Sequence, residues 1–181
     1  LKDITDKILR GLFISLLIAL AGASGACAQA PGLARVSPET ASLEVGGEVT
    51  LSLEALGVED VNAYDVTLTY DPAVVTLLGW SHGGFLSNLA QVYQSDKPGT
   101  LRLVFTQLAT PPVSGDGVLL ELVFGGVAPG ESAVTIERLD FAGASGGIIN
   151  PELRPGLLRV LPVPADSPTP TETAPPAATR T

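Results

Sequence analysis

The stretch Asp65-Val66-Thr67-Leu68-Thr69-Tyr70-Asp71-Pro72 decides the fold class, because it alternates polar and apolar residues without a break. Successive side chains of a β-strand point to opposite faces, so the alternation predicts a strand with one dry and one wet face. Pro72 lacks an N–H and favours an extended residue before it, so we expect the strand to end there. The short hydroxyls and the carboxylate of the wet face suit contact with another surface through hydrogen bonds.

The same pattern recurs on both sides of this stretch, with Gly, Pro, Asn and Asp at short intervals between the apolar segments. Beyond the first thirty residues, no window has a sustained helical period. About nine strands are predicted, at residues 34–37, 48–55, 61–71, 74–78, 90–94, 100–106, 118–124, 132–138 and 156–163. This number exceeds what one open antiparallel sheet usually holds, which predicts an all-β sandwich of two packed layers.

The first thirty residues have the pattern of a secretory signal peptide. Three basic residues, Lys2, Lys7 and Arg10, precede the apolar run 11–23, and small residues follow it. The run is shorter than the roughly 20 apolar residues that a membrane span needs, so cleavage is favoured over an uncleaved anchor. We therefore predict a secreted or cell-surface, extracellular protein.

Cys27 is the single cysteine and lies in the cleavage region. Acylation of Cys27 would make the protein a lipoprotein, but Ser24 stands where bacterial lipoproteins usually carry Leu. Cleavage after Ala28 fits the small residues at 26 and 28, and we favour it. In either case no disulfide can stabilise the folded part, so its core must suffice.

Residues 31–163 are predicted to form one domain, and residues 164–181 a separate Pro/Thr-rich segment. That last segment is nearly free of large apolar residues, so we expect a disordered linker or stalk. The whole chain has a net charge of −9, and removal of a basic signal peptide makes the remainder slightly more acidic. This acidity argues against nucleic acid or an anionic membrane as a partner of the folded domain.

Residue types that catalysis or metal binding requires are scarce. His82 is the only histidine, so a serine-type triad or a multi-histidine metal site lacks its partners. No Asp-x-Asp/Asn-x-Asp loop for calcium is present, and the Gly-rich stretches lack the Lys of a phosphate loop. An acid pair for glycoside hydrolysis stays open, although most acids occupy outward strand positions or turns. We predict a noncatalytic protein with no metal or cofactor of its own.

Carbohydrate binding by a β-sandwich usually uses exposed aromatic side chains. The chain has one Trp, three Tyr and five Phe, and several of these fall in the apolar register of the strands. Trp80 and Tyr93 are the candidates for exposure. Two aromatics make a small platform, so sugar binding is kept as an alternative.

The chain resembles the cohesin domain. The resemblance rests on Asp65-x-x-x-x-Tyr70-Asp71-Pro72, on Val45-Gly46-Gly47-Glu48-Val49 before it, and on Ser114-Gly115-Asp116-Gly117-Val118-Leu119 ahead of Phe124. It extends from Ala34 to about Val163. Cohesins are noncatalytic, nine-stranded jelly-roll sandwiches that bind the dockerin modules of polysaccharide-degrading enzymes. The resemblance implies the same fold here, and a dockerin partner that carries the calcium.

The resemblance also implies a binding face on one sheet. It nominates outward residues of the central strand and, by adjacency in the family's sheet, outward residues of three more strands: Asp65, Thr67, Thr69, Gln91 or Tyr93, Arg102, Thr106, Thr135 and Glu137. The sequence departs from the family at Ala63, where many cohesins have Asn. The alternatives are a carbohydrate-binding module of the same superfamily fold, with Trp80 and Tyr93 at its site, and a structural or adhesin domain of a surface stalk.

Overall fold

The computed structural model describes residues 32–144 and 146–163, and every regular element in these ranges is a β-strand. The predicted signal peptide and the Pro/Thr-rich segment 164–181 lie outside the described residues. Eleven strands follow in order: β1 Leu33–Ser37, β2 Thr40–Glu44, β3 Glu48–Thr69, β4 Val75–His82, β5 Leu89–Lys97, β6 Thr100–Gln107, β7 Val113–Gly126, β8 Gly130–Gly143, β9 Ile148–Ile149, β10 Glu152–Arg154 and β11 Gly156–Leu161. The described residues contain no helix long and apolar enough to cross a membrane.

The long strand β3 belongs to both layers of the structure. Its first half pairs with β1 and β7, and β10 and β4 extend that layer on the two sides. Its second half pairs with β6 and β8, and β5 lies beyond β6. We call these the back layer and the front layer. Near one edge, β11 pairs with the start of β8 and with β2, so the sheets curl toward each other.

A bend in β3 at residues 57–60 moves the chain from one layer to the other. Gly57 and Asp60 have positive φ angles of 61° and 55°, which an ordinary strand residue does not adopt. The Gly57 N–H donates to Asp116 Oδ1 at 2.6 Å, and the Asp60 N–H donates to Ser114 Oγ at 2.9 Å. The Ser-Gly-Asp-Gly motif at the start of β7 therefore satisfies the backbone groups that the bend removes from the ladder.

The inward faces of the two layers form one core. The back layer contributes Leu51, Leu53, Leu120, Leu122 and Phe124, and the front layer Tyr64, Val66, Leu68, Leu103, Phe105 and Phe141, all at most 2% exposed. The alternation predicted for 64–70 and for 101–105 is thus confirmed, because every residue expected on the inward side of those runs is buried, whereas Val104, expected outward, is partly exposed.

The corner after β3 has a local cause. Asp71 Oδ1 accepts a hydrogen bond from the Ala73 N–H at 2.9 Å, and the Asp71 N–H donates to Ser132 Oγ at the same distance. Gly99 faces this corner with a φ of +83°, and a Cβ at Gly99 would lie 3.1 Å from Pro72 Cδ. The corner therefore needs both the Asp-Pro sequence and a glycine on the neighbouring turn.

The all-β prediction is confirmed, and the strand segments differ in detail from the nine expected. Strands predicted at 48–55 and 61–71 are one continuous element, whereas β2, β9 and β10 were not predicted. Pro38 separates β1 from β2, and Pro155 separates β10 from β11, because proline cannot donate a backbone hydrogen bond to a neighbouring strand. The strand predicted at 74–78 is longer in the structure: β4 continues through Gly79 to His82, and Leu78 within it is 52% exposed.

Candidate functional site

The outer surface of the front layer, which we call the front face, brings most of the predicted binding residues together in rows across the strands. Thr69 lies opposite Thr100 of β6 and Thr135 of β8. Thr67 lies opposite Arg102 and Arg138.

The next two rows continue the front face toward the other end of the strands. Asp65 lies opposite Val104 and Asp140, and Ala63 lies opposite Thr106 and Ala142. Since directly opposed residues of an antiparallel pair share a face, these positions form one continuous surface.

A belt of four alternating charges crosses the front face. Arg102 donates to both carboxylate oxygens of Asp65, from Nε at 3.0 Å and from Nη2 at 2.8 Å. Arg138 Nη1 lies 3.9 Å from Asp65 Oδ2, and Arg138 also forms an ion pair with Asp140. The charged belt, Arg102–Asp65–Arg138–Asp140, therefore has an opposite charge beside every member.

The charged belt explains the titration of Asp65. The hydrogen bond from Arg102 lowers the pKa of the Asp65 carboxyl below its ordinary value of 3.8, against the opposing effect of desolvation. The positive charges of Arg102 and Arg138 act in the same direction as the hydrogen bond. Asp65 is therefore an anion at neutral pH and is already paired before any partner arrives.

Two further contacts extend the belt and the threonine row. The Arg102 guanidinium lies 5.2 Å from the centroid of the Tyr93 ring, a cation–π contact that ties β5 to the belt. Thr69 Oγ1 donates to Glu137 Oε1 at 2.9 Å. Thr69 and Glu137, nominated separately by the sequence, thus act as a pair.

Gln91 and Tyr93 are separated by an irregularity in β5. Gln91 lies opposite the inward residue Phe105, whereas Tyr93 lies opposite Val104 of the front face. A register shift between them places an additional residue, Val92, in the strand. Of the two residues nominated on β5, Tyr93 therefore belongs to the front face and Gln91 does not; Gln91 Nε2 instead donates to Gln94 Oε1 at 2.9 Å.

Trp80 and Tyr93 do not form a common platform. Trp80 lies on β4 of the back layer, packs against the core and has its ring centroid 5.6 Å from that of the inward residue Phe105. Tyr93 lies on β5 and contacts Arg102 of the front face. The expectation that Trp80 offers an exposed ring is wrong, because its ring helps to close the space between the layers.

Arg138, Asp140 and Val104 of the front face were missed by sequence reasoning, as were Ala142 and the neighbouring Ile148 of β9. Val134 and Ile136 are inward, and continued alternation would turn Arg138 inward as well. Instead a bulge at Glu137 shifts the register, so Leu139 and Phe141 are buried and Arg138 is exposed. The signal was present in the sequence, since the apolar positions 139 and 141 are out of phase with 134 and 136.

A shallow depression, which we call the hollow, lies beside the charged belt. Its apolar lining comes from Ala63, Val104, Ala142 and Ile148, and its volume is about 210 Å³. Asp65, Arg138 and Asp140 form its polar rim. The hollow exists because Ala63 and Ala142, directly opposed on β3 and β8, have only a methyl group each.

The described residues contain no group of three His, Cys, Asp or Glu side chains that could hold a metal ion. His82 lies at the end of β4, where its ring centroid is 4.5 Å from that of Phe105 and 5.5 Å from that of Trp80. Desolvation lowers the pKa of His82 below 6.5. These contacts give His82 a packing role at the rim of the core.

Comparison with known proteins fits this geometry. The family model of the cohesin domain matches residues 34–142. The chain belongs to the cohesin family. Cohesin domains are noncatalytic binding modules, and this chain is one of them. No curated protein matches the sequence significantly.

Solved cohesin structures share the fold at low sequence identity. A non-cellulosomal cohesin from the archaeon Archaeoglobus fulgidus is 16% identical with a TM-score of 0.63, covering 73% of this chain and 92% of that chain. The sixth cohesin of scaffoldin B from Acetivibrio cellulolyticus, crystallised with a Cel5 dockerin, is 17% identical with a TM-score of 0.62, covering 72% and 99%. The match in a type I cohesin–dockerin complex from Clostridium thermocellum is 16% identical with a TM-score of 0.62, covering 74% of this chain and 96% of that chain.

Proposed function

We propose that this cohesin binds a calcium-loaded dockerin-type module of a secreted enzyme through its front face. The observation that supports the proposal is that six residues nominated by resemblance lie together on the front face: Asp65, Thr67, Thr69, Arg102, Thr106 and Thr135. Related cohesins have been crystallised with dockerins. A rigid sheet that offers hydroxyls, a carboxylate and guanidinium groups fits rigid docking, in which polar groups set orientation and a few anchors supply affinity.

The biological setting that we propose is extracellular polysaccharide breakdown, with the chain secreted after cleavage of its leader within residues 1–30. The supporting features are the basic and apolar leader and the cohesin fold. Mass spectrometry of the protein recovered from culture medium tests secretion, because it identifies the mature N-terminus. A diacylated Cys27 in a membrane fraction would show a lipoprotein instead.

Calorimetric titration with dockerin modules encoded by the same organism tests the binding proposal. We expect saturable binding with calcium and loss of binding in a chelator, since the calcium belongs to the dockerin. Thr67→Arg should abolish binding by adding a large cation between Arg102 and Arg138. Thr50→Arg is the matched control, because Thr50 is an exposed residue on the back-layer half of the same strand. Absence of binding to every dockerin would favour a structural or adhesin role.

Carbohydrate binding receives no support from the described geometry. Trp80 packs on the core and Tyr93 stacks on Arg102, so the two rings cannot face one sugar chain together. Affinity electrophoresis on cellulose and xylan gives the check. Retardation that disappears in Tyr93→Ala would revive this alternative.

A further inference from the structure

Two strands of the back layer end side by side, and a small cleft lies where they end. A proline follows each of β1 and β10, and the chain then continues as β2 and β11, which pair with each other beside β8. The Leu157 N–H donates to the Glu39 carbonyl at 2.8 Å, so the two bends are joined. A Cβ at Gly156 would lie 2.6 Å from Val36 Cγ1, which shows how closely the second bend follows the first. The cleft is lined by Arg35, Val36, Ser37, Glu39, Arg154 and Pro155.

The cleft brings two arginine side chains together. Arg35 and Arg154 are direct partners in the parallel register of β1 and β10, although like charges placed opposite each other destabilise a sheet. Arg35 donates from Nε to Glu54 Oε2 at 2.7 Å. Arg154 donates from Nε and Nη2 to Glu152 Oε1, at 3.2 Å each. Since a guanidinium has five N–H donors, each arginine has donors beyond those that its own acid engages.

The rest of the lining has a different character. Glu39 contributes a carboxylate and Ser37 a hydroxyl, and Pro155 adds apolar surface. A lone anion would meet the negative charge of Glu39, and a lone cation would meet two guanidiniums, so either is repelled by part of the cleft. The volume of about 150 Å³ equals that of a cavity known to hold a benzene ring, which limits the size of a ligand. The cleft therefore fits a small molecule that carries both charges.

We propose that the cleft binds a small zwitterion, an α-amino acid with a short aliphatic side chain. Its carboxylate accepts hydrogen bonds from Arg35 and Arg154, and its ammonium group donates to Glu39 and Ser37. Its side chain lies against Pro155. The Arg35 and Arg154 side chains are 47% and 62% exposed, so neither has to be uncovered before the ligand arrives. The site goes beyond the proposed function, because the cleft lies at the ends of β1 and β10 and the front face lies on β3, β6 and β8.

Titration of the ¹⁵N-labelled secreted protein at low ionic strength tests the site with L-valine, acetate and methylammonium as probes. L-Valine should shift the Ser37 amide signal and the Arg154 Nε–H signal saturably. Acetate and methylammonium should each bind more weakly, because each satisfies one polarity of the cleft and is repelled by the other. No saturable shift with L-valine, or equal affinity for L-valine and acetate, would overturn the zwitterion site.

Two variants separate the roles of the opposite charges. Arg154→Gln should weaken L-valine binding by about 10-fold, the scale of one charge-assisted hydrogen bond. Glu39→Gln should weaken L-valine binding and strengthen acetate binding, since the repelling carboxylate is gone. Arg159→Gln is the matched control, because Arg159 is 53% exposed and pairs with Glu131 at 3.0 Å away from the cleft. Equal affinity of Arg154→Gln and Arg159→Gln for L-valine would overturn the assignment of Arg154, and unchanged acetate binding in Glu39→Gln would overturn that of Glu39.

Discussion

Arg102 of β6 donates two hydrogen bonds, at 3.0 and 2.8 Å, to the carboxylate of Asp65 in the second half of the neighbouring strand β3. A carboxylate held by both oxygens has a fixed orientation. The Tyr93 ring of β5 in turn restricts the movement of the Arg102 guanidinium through its cation–π contact. The polar centre of the front face is therefore set before binding. Preorganisation of this kind lowers the entropic cost of association.

Replacement of Asp65 should change the acid stability of the protein. The folded state lowers the pKa of Asp65, so its contribution to stability is complete above the ordinary value of 3.8 and is lost as the pH falls below it. Urea unfolding at a series of acidic pH values should therefore show a steeper loss of stability for wild type than for Asp65→Asn. The exposed Asp96→Asn provides the charge-matched control. Parallel curves for wild type and Asp65→Asn would show that the ion pair contributes nothing measurable.

His82 should give a second, separate pH dependence. Its folded-state pKa is lowered by desolvation, so the unfolded chain binds a proton first as the pH falls through 6.5. Stability should thus rise with pH through the region just below 6.5 and level off above it. Urea unfolding from about pH 5 to about pH 7.5 measures this, and His82→Gln should remove the rise. A rise that persists in His82→Gln would assign it to another group.

Asp116→Ala should destabilise the bend of β3 by about 1 kcal/mol, because the Gly57 N–H loses its acceptor. Asp116→Asn retains an oxygen at the same position and should recover most of the loss. Equilibrium urea unfolding resolves a difference of this size. If Asp116→Asn were as unstable as Asp116→Ala, the carboxylate charge and not the hydrogen bond would be responsible.

Tyr64→Phe should leave stability unchanged or raise it by up to about 1 kcal/mol, because removal of an unpaired buried hydroxyl removes its desolvation cost. The Tyr64 hydroxyl is buried without a hydrogen-bond partner among residues 32–144 and 146–163. Burial also raises its pKa well above 10.0. Tyr64→Ala is the contrasting variant: it loses the ring contact with Phe105 at 5.5 Å and should cost about 3 kcal/mol. Thermal unfolding of the three proteins ranks them directly.

The inward residues of the central strands could be predicted because the alternation of Tyr64, Val66, Leu68 and Tyr70 has a single physical cause. A side chain on the face that packs against the core must be apolar, so the apolar positions of the pattern predict which residues are buried. The same alternation places Asp65, Thr67 and Thr69 on the outer side of the strand, where the structure has them partly exposed, and the resemblance to cohesins nominated them as binding residues.

Breaks in that alternation account for what the sequence did not reveal. The bulges near Val92 and Glu137 each change which side chains point outward, so Gln91 was included and Arg138 was omitted. The hollow depends on the pairing of Ala63 with Ala142, two residues far apart in sequence that no local pattern connects. Trp80 was misplaced because β4 runs farther than its apolar segment suggests.

The single strand β3 also governs how the protein folds. Its partners β6, β7 and β8 all lie far along the chain, so neither layer can be completed from local contacts. High contact order of this kind is associated with folding in milliseconds to seconds, in contrast to the microseconds of helical bundles. Since loss of β3 removes the central strand of both layers at once, we expect amide protons of front and back layers to exchange through one shared, global opening.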